Sequence, residues 1–87
     1  MMTPEKIKQL IEDGLTGSEA RVYGEDGTHF EAVIISDDFG DKTTLQRHQL
    51  VYAALGGLMG TDIHALSMRT YTPGEWQEVQ GKAAGEG

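Results

Sequence analysis

Residues 28–36 read Thr-His-Phe-Glu-Ala-Val-Ile-Ile-Ser. β-Branched residues are frequent in this stretch and favour extended backbone, so the sequence predicts a strand here. The preceding residues 24–27, Gly-Glu-Asp-Gly, are typical of a turn, because Asp-Gly adopts positive φ at little cost. A shorter predicted strand over residues 19–23 completes a β-hairpin.

Helices are predicted on both sides of this hairpin. Before it, Thr3-Pro4-Glu5 combines a hydroxyl N-cap, a proline at the first helical position and an acid in the first turn of a helix over residues 4–14. After it, residues 37–42 form a polar loop, and residues 43–46 match a capping box that begins a helix running to Leu58. The predicted inner side of this second helix consists of Leu45, His48, Val51, Tyr52, Leu55, Leu58 and Met59.

The rest of the chain adds one strand and a short C-terminal helix. Residues 63–71 are predicted to form the strand, Pro73 ends it, and Trp76 folds back from a short final helix as an anchor. The order helix, strand, strand, helix, strand predicts an α+β fold with helices on one face of a sheet. We expect a single domain over residues 1–79 and, because residues 80–87 are small and polar, a disordered C-terminal tail.

Composition narrows the classes of function. The chain of 87 residues contains no cysteine, so it cannot form a disulfide or hold an iron–sulfur cluster through its own thiolates. Its net charge of −7 disfavours nucleic-acid binding, which depends mainly on Lys and Arg. We expect a cytoplasmic protein without a membrane segment, since no long apolar run or signal peptide is visible. We also expect no enzymatic activity, because no nucleophile motif is present.

Motifs in both halves of the chain resemble those of the BolA family. Residues 45–52, Leu-Gln-Arg-His-Gln-Leu-Val-Tyr, resemble the helix motif of that family. Residues 63–68, Ile-His-Ala-Leu-Ser-Met, followed by Tyr71-Thr72-Pro73 and Trp76, resemble its C-terminal strand and tail. Thr28-His29-Phe30 resembles the start of its second strand. The combination is more specific than any one of these motifs.

The resemblance extends from residue 3 to residue 76 and includes Phe39-Gly40, which stands where the family has a Phe-x-Gly-type turn. The short loop over residues 24–27 is similar to that of the bacterial acid-stress paralogues of BolA. The resemblance implies a KH-like fold of the second type for this single domain. It also implies a role in the stress response.

Partnership with monothiol glutaredoxins is the functional expectation that the resemblance implies. In that arrangement a heterodimer shares a [2Fe–2S] cluster, for which the glutaredoxin supplies a cysteine and its bound glutathione supplies a second thiolate. The BolA protein supplies the histidine of its Ile-His-Ala-Leu motif, which is His64 here. No cluster would bind to this chain alone. The implied role is iron–sulfur cluster trafficking or iron sensing.

His64 and His29 are the candidate iron ligands. From the residues alone, His64 begins an apolar strand face, and a histidine in that situation is more often structural than functional. The resemblance implies that it is a metal ligand. His29 follows the loop in which some family members carry a second ligand, His or Cys, but residues 24–27 contain neither. The acidic side chains of that loop are hard donors, poorly matched to a soft cluster. His29 therefore either turns towards the cluster or is a half-exposed strand residue.

A DNA-binding transcriptional regulator, acting in stress or morphology control, is the alternative function, since this role is also attributed to BolA proteins. The candidate nucleic-acid contacts are Lys42, Arg47 and Arg69, with Arg47 expected on the exposed side of the second helix. The net charge of −7 and the scattered positions of the basic residues favour the glutaredoxin-partner hypothesis.

Overall fold

The computed structural model describes residues 2–60, 62–63 and 65–86, with side chains described as far as residue 81. Its elements are α1 (Pro4–Gly14), β1 (Glu19–Tyr23), β2 (His29–Ile35), α2 (Thr44–Leu55), β3 (Ala65–Tyr71) and α3 (Pro73–Glu86). Short 3₁₀ turns cover Asp37–Phe39 and Gly56–Leu58. The predicted α+β fold is confirmed. Within the described ranges, no helix is long and apolar enough to cross a membrane.

β2 is the central strand of a three-stranded sheet in the order β1-β2-β3. β1 runs antiparallel to β2, with Tyr23 opposite Glu31, which confirms the predicted hairpin. β3 runs parallel to β2, with His29 opposite Ala65 at one end. Parallel neighbours need a crossover connection, and α2 provides it. The parallel register therefore brings the start of β2 next to the start of β3.

The hydrophobic core lies between the sheet and the two helices α1 and α2. β2 alternates in the expected way, since Phe30, Ala32 and Ile34 are all buried against the helices. Gly14 ends α1 at a point of close approach, where a Cβ atom would lie 2.5 Å from the Cβ of Ala54. A glycine is needed there because any larger residue would push α1 and α2 apart. The helices contribute Ile7, Ile11, Val51 and Leu55 to this core.

The N-terminus of α2 confirms the predicted capping box, but the predicted inner side of this helix is partly wrong. Val51 and Leu55 are buried, whereas Leu45 and Tyr52 are 68% and 40% exposed. The helix is rotated so that Arg47, rather than Leu45, faces inward. Apolar periodicity alone does not reveal this rotation, because contacts with distant parts of the chain decide it.

Residues 37–42 are more ordered than the polar loop that the sequence predicts. The hydroxyl of Ser36 accepts a hydrogen bond from the backbone N–H of Asp38 at 3.1 Å and thereby caps the short 3₁₀ turn. This turn directs Phe39 into the core, where its side chain is completely buried. Phe39 is therefore a core residue, although its polar neighbours hide it in the sequence.

α3 is longer than the short helix that the sequence predicts. It begins with a reciprocal pair of hydrogen bonds between Thr72 and Glu75, 2.9 and 3.2 Å long. Trp76 packs against Tyr71 with 5.3 Å between ring centroids, and the guanidinium of Arg21 lies 5.3 Å from the Trp76 ring. The predicted Trp76 anchor is thus confirmed. The disorder expected for residues 80–87 stays a prediction.

Phe39→Ala tests the core assignment. We expect it to lower the free energy of unfolding by about 3–5 kcal/mol, because it removes a fully buried ring and leaves a cavity. Leu45→Ala is the control, since its exposed side chain should change stability by less than about 0.5 kcal/mol. Urea unfolding followed by circular dichroism measures both variants. Equal losses of stability would contradict the core position of Phe39.

Candidate functional site

His29 lies at the start of the central strand, directly after the β1–β2 turn. Its side chain is 71% exposed. Across the parallel pairing it faces Ala65, whose backbone N–H donates to the carbonyl of Thr28 at 3.2 Å. His64 precedes Ala65 in the sequence and lies outside the described residues. The structure therefore places His29 opposite Ala65, the chain neighbour of His64, and the ligand role of His64 stays a prediction.

The carboxylate of Asp26 organises the β1–β2 turn. One of its oxygens, Oδ1, accepts backbone hydrogen bonds from Thr28 at 2.9 Å and from His29 at 2.8 Å. The other oxygen, Oδ2, lies 2.8 Å from Nδ1 of the His29 ring. The backbone hydrogen bond from His29, followed by that from Thr28 and by the contact with the His29 ring, holds the pKa of Asp26 well below its usual range. Asp26 is therefore ionised near neutral pH.

The hydrogen bond to Asp26 decides which nitrogen of the neutral His29 ring carries the proton. A carboxylate can only accept hydrogen bonds, so Nδ1 must donate to Asp26, and in the neutral ring Nε2 then carries the lone pair. Among the described residues, Nε2 has no hydrogen-bond partner. Histidines that bind metals commonly donate their other ring nitrogen to a carboxylate in this way. Asp26, which the sequence presents only as a hard oxygen donor, instead orients His29.

A cavity of about 390 Å³ opens beside His29. Tyr23, which is 57% exposed, lines this cavity. Sequence reasoning missed Tyr23, although the alternation along β1 places it on the side of the sheet away from the core. Within the described ranges, no three potential metal ligands lie together, so a metal at His29 would need further donors. The other lining residues are Gly24, Glu25, Phe30, Glu31, Ala65 and Ser67.

The prediction that Arg47 is exposed is wrong, because only 13% of its side chain is accessible. Its guanidinium forms a bidentate pair with Glu75, with distances of 2.7 and 3.2 Å, and donates to the carbonyls of Thr70 and Lys42 at 3.3 and 3.1 Å. The ring of Phe39 lies 5.8 Å from it. Arg47 therefore connects α2 to β3 and α3, and the carboxylate of Glu75 neutralises its charge.

The same ion pair shifts the titration of both partners. The hydrogen bond from Arg47, supported by that from the Thr72 backbone, lowers the pKa of Glu75 to about 2, and Glu75 raises the pKa of Arg47. The other two candidate nucleic-acid contacts, Lys42 and Arg69, are exposed. The contact of any of these residues with nucleic acid stays a prediction.

The chain is similar to BolA-like proteins in both sequence and structure. The family model described as BolA-like protein matches residues 10–75. A solved structure of a BolA homologue from Coxiella burnetii is similar with a TM-score of 0.81 and 52% sequence identity. The similarity covers 88% of this chain and 99% of that chain.

Two curated relatives are similar in sequence. BolA-like protein 1 from Homo sapiens is 33% identical over 81 residues, which cover 83% of this chain and 59% of that protein. The DNA-binding transcriptional regulator BolA from Escherichia coli is 40% identical over 53 residues, which cover 61% of this chain and 50% of that protein. The chain thus matches 59% and 50% of the lengths of these two relatives. A closer relation to the acid-stress paralogues stays a prediction.

Asp26→Ala tests the orientation of the His29 ring. In the unmodified protein we expect neutral His29 to carry its proton on Nδ1, because the Asp26 carboxylate can only accept. Without that carboxylate, the Nδ1–H tautomer should lose its advantage. The chemical shifts of the ring nitrogens, measured by NMR, distinguish the two tautomers. Glu25→Ala, which changes the neighbouring acid of the same turn, is the control. A neutral ring protonated mainly on Nε2 in the unmodified protein would contradict this assignment.

Proposed function

Because the chain belongs to the BolA-like family, we propose that it is a non-enzymatic partner of monothiol glutaredoxins that shares a bridging [2Fe–2S] cluster through histidine. The observation that carries this proposal is the Asp26–His29 pair, which lies opposite the first residue of β3. His64, immediately before that residue in the sequence, is the principal proposed ligand, and His29 is the second. The role is iron–sulfur cluster trafficking or iron sensing.

The composition of the chain supports a shared rather than an independent cluster. Iron–sulfur clusters are usually held by thiolates, and this chain has no cysteine. The thiolates must therefore come from the partner, one from a glutaredoxin cysteine and one from glutathione bound to the glutaredoxin. Histidine can replace thiolates on one iron of a [2Fe–2S] cluster and raises its reduction potential. Bound in this way, the cluster would supply the iron and sulfide that the pair of proteins carries.

The Asp26–His29 pair suits this role for a physical reason. An imidazole nitrogen binds iron only through its lone pair, and the hydrogen bond from Nδ1 to Asp26 leaves that lone pair on Nε2. The negative charge of the carboxylate also makes the ring a stronger donor. His29 is exposed, so a partner protein can reach it without a change in the fold.

Histidine variants test this proposal in a mixture of the purified chain with a cluster-loaded monothiol glutaredoxin under anaerobic conditions. The unmodified chain should change the visible absorption and circular dichroism of the cluster. His64→Ala should abolish this change or shorten the lifetime of the shared cluster, and His29→Ala should shorten it less. Asp26→Ala should weaken cluster binding by about tenfold or more, the usual effect of removing a carboxylate that orients a ligand.

His48→Ala is the matched control, because His48 is a half-buried residue of α2 and has no proposed role in the cluster. It should leave the spectrum and the lifetime of the cluster unchanged. If His64→Ala also leaves both unchanged, the ligand role of His64 is wrong. If His29→Ala and Asp26→Ala leave both unchanged, the Asp26–His29 pair has no part in the site.

DNA binding is the second candidate function. It is favoured by the exposure of Lys42 and Arg69 and by the regulator name of the Escherichia coli relative. Against it, the guanidinium of Arg47 is engaged with Glu75, and the net charge of −7 repels phosphates. A DNA-binding surface on this chain would therefore have to rely on few free cations.

Gel-shift titrations separate the two candidate functions. At a salt concentration of about 0.15 M we expect no sequence-specific complex with duplex DNA, because few cations are free to neutralise phosphates. A specific complex that the double variant Lys42→Ala/Arg69→Ala abolishes would instead support a regulator. The variant Lys6→Ala/Lys8→Ala, which removes two cations of α1, is the control for a general change in net charge.

A further inference from the structure

The face of the sheet opposite the core is largely open. Two neighbouring cavities of about 390 and about 310 Å³ lie on it, and both are lined by Tyr23, Glu31 and Ser67. α3 contacts this face at the end away from His29, where Trp76 packs against Tyr71 and lies next to Arg21. A continuous surface therefore extends from His29 across the sheet.

We propose that this surface, centred on Tyr23 and called the open sheet face below, is where the glutaredoxin partner docks. The inference rests on the proposed function, because that function supplies the partner. It goes further by identifying the surface that supplies binding affinity, separately from the histidines that bind iron. Three features of the described residues support it.

The first feature is Tyr23 itself. It is the last residue of β1, it is 57% exposed, and it lines both cavities. A monomeric chain gains little from leaving a tyrosine ring in water at this position. Tyrosine is enriched in protein interfaces and among the residues that contribute most to binding, since its ring buries a large area and loses little side-chain entropy.

The second feature is the continuity of this face with the proposed ligand site. His29 and Ala65 line the larger cavity together with Tyr23. A protein that brings a cysteine-bound iron to His29 must lie against this cavity. Its surface next to that cysteine would then cover the adjoining part of the sheet, where Tyr23 is the exposed aromatic residue.

The third feature is the distribution of charge. Glu25 and Glu31 are exposed at the end of the open sheet face that contains His29, and Arg69 is exposed in the cavity farther along. Among the described residues, none of these three side chains forms an ion pair. The surface thus fits a partner with basic groups around its cluster-binding cysteine and an acidic group opposite Arg69. Such complementarity mainly accelerates association and weakens with added salt.

The outer side of α2 is the competing surface, since Leu45 and Tyr52 are also exposed there. It belongs to the helical layer on the other side of the sheet, whereas His29 lines a cavity of the open sheet face. A partner docked on α2 would therefore not cover the proposed ligand. Tyr52 provides a matched control for Tyr23, because both are exposed tyrosines on opposite sides of the molecule.

The test compares Tyr23→Ala with Tyr52→Ala in the full chain. Each protein is titrated by calorimetry with a cluster-free monothiol glutaredoxin in the presence of glutathione. Tyr23→Ala should raise the Kd by about tenfold or more, as expected for an aromatic residue at the centre of an interface. Tyr52→Ala should change the Kd by less than about twofold, as most interface-remote substitutions do. Adding salt should weaken binding of the unmodified chain and have less effect on Glu25→Gln/Glu31→Gln.

NMR shift mapping of the unmodified chain provides a second measurement that does not depend on the stability of a variant. The amide signals that shift on adding the glutaredoxin should cluster at Tyr23, Glu31 and Ser67. Shifts confined to α2, or a Kd that Tyr52→Ala raises and Tyr23→Ala does not, would overturn the proposal. If the cluster is shared normally and Tyr23→Ala has no effect on binding, the docking surface is wrong and the proposed function stands. If the unmodified chain neither binds a monothiol glutaredoxin nor shares its cluster, both proposals fail.

Discussion

The parallel pairing of β2 with β3 is the constraint on which the rest of the structure depends. Parallel strands cannot be joined by a tight turn, so the chain must cross over, and α2 provides the crossover. With α1 it covers one face of the sheet and leaves most of the other open. The same pairing sets His29 opposite Ala65, the residue that follows His64. The positions of the core, of the open sheet face and of the candidate ligand His29 thus all follow from the parallel pairing of β2 with β3.

The candidate site is incomplete by itself, because it offers histidine but no cysteine. In the proposed complex, the chain would contribute the oriented imidazole of His29, and the partner would bring the thiolates that this chain lacks. Asp26 serves two purposes here, because one oxygen holds the backbone of the turn and the other holds the ring of His29. A single ionised carboxylate therefore connects the local fold of the hairpin to the chemistry proposed for it.

Features set by neighbouring residues could be predicted from the sequence, whereas features set by distant contacts could not. The caps of α1 and α2 and the hairpin follow from local signals, and the structure has them as predicted. The inward rotation of Arg47 depends on Glu75, 28 residues away, and no periodicity indicates it. Phe39 lies among polar residues, and its burial depends on the short 3₁₀ turn that Ser36 caps and on packing against distant core residues. The spacing of Asp26 and His29 is visible in the sequence, but their contact requires the geometry of the turn.

The most direct test of the central claim is electron–nuclear double resonance on the reduced cluster, formed between an unlabelled glutaredoxin and this chain carrying isotope-labelled histidine. We expect nitrogen couplings from histidines of this chain that are strong enough for direct bonding to iron, and the coupling from His64 should be lost in His64→Ala. Absence of any such coupling in the unmodified complex would contradict the claim that this chain ligates the cluster.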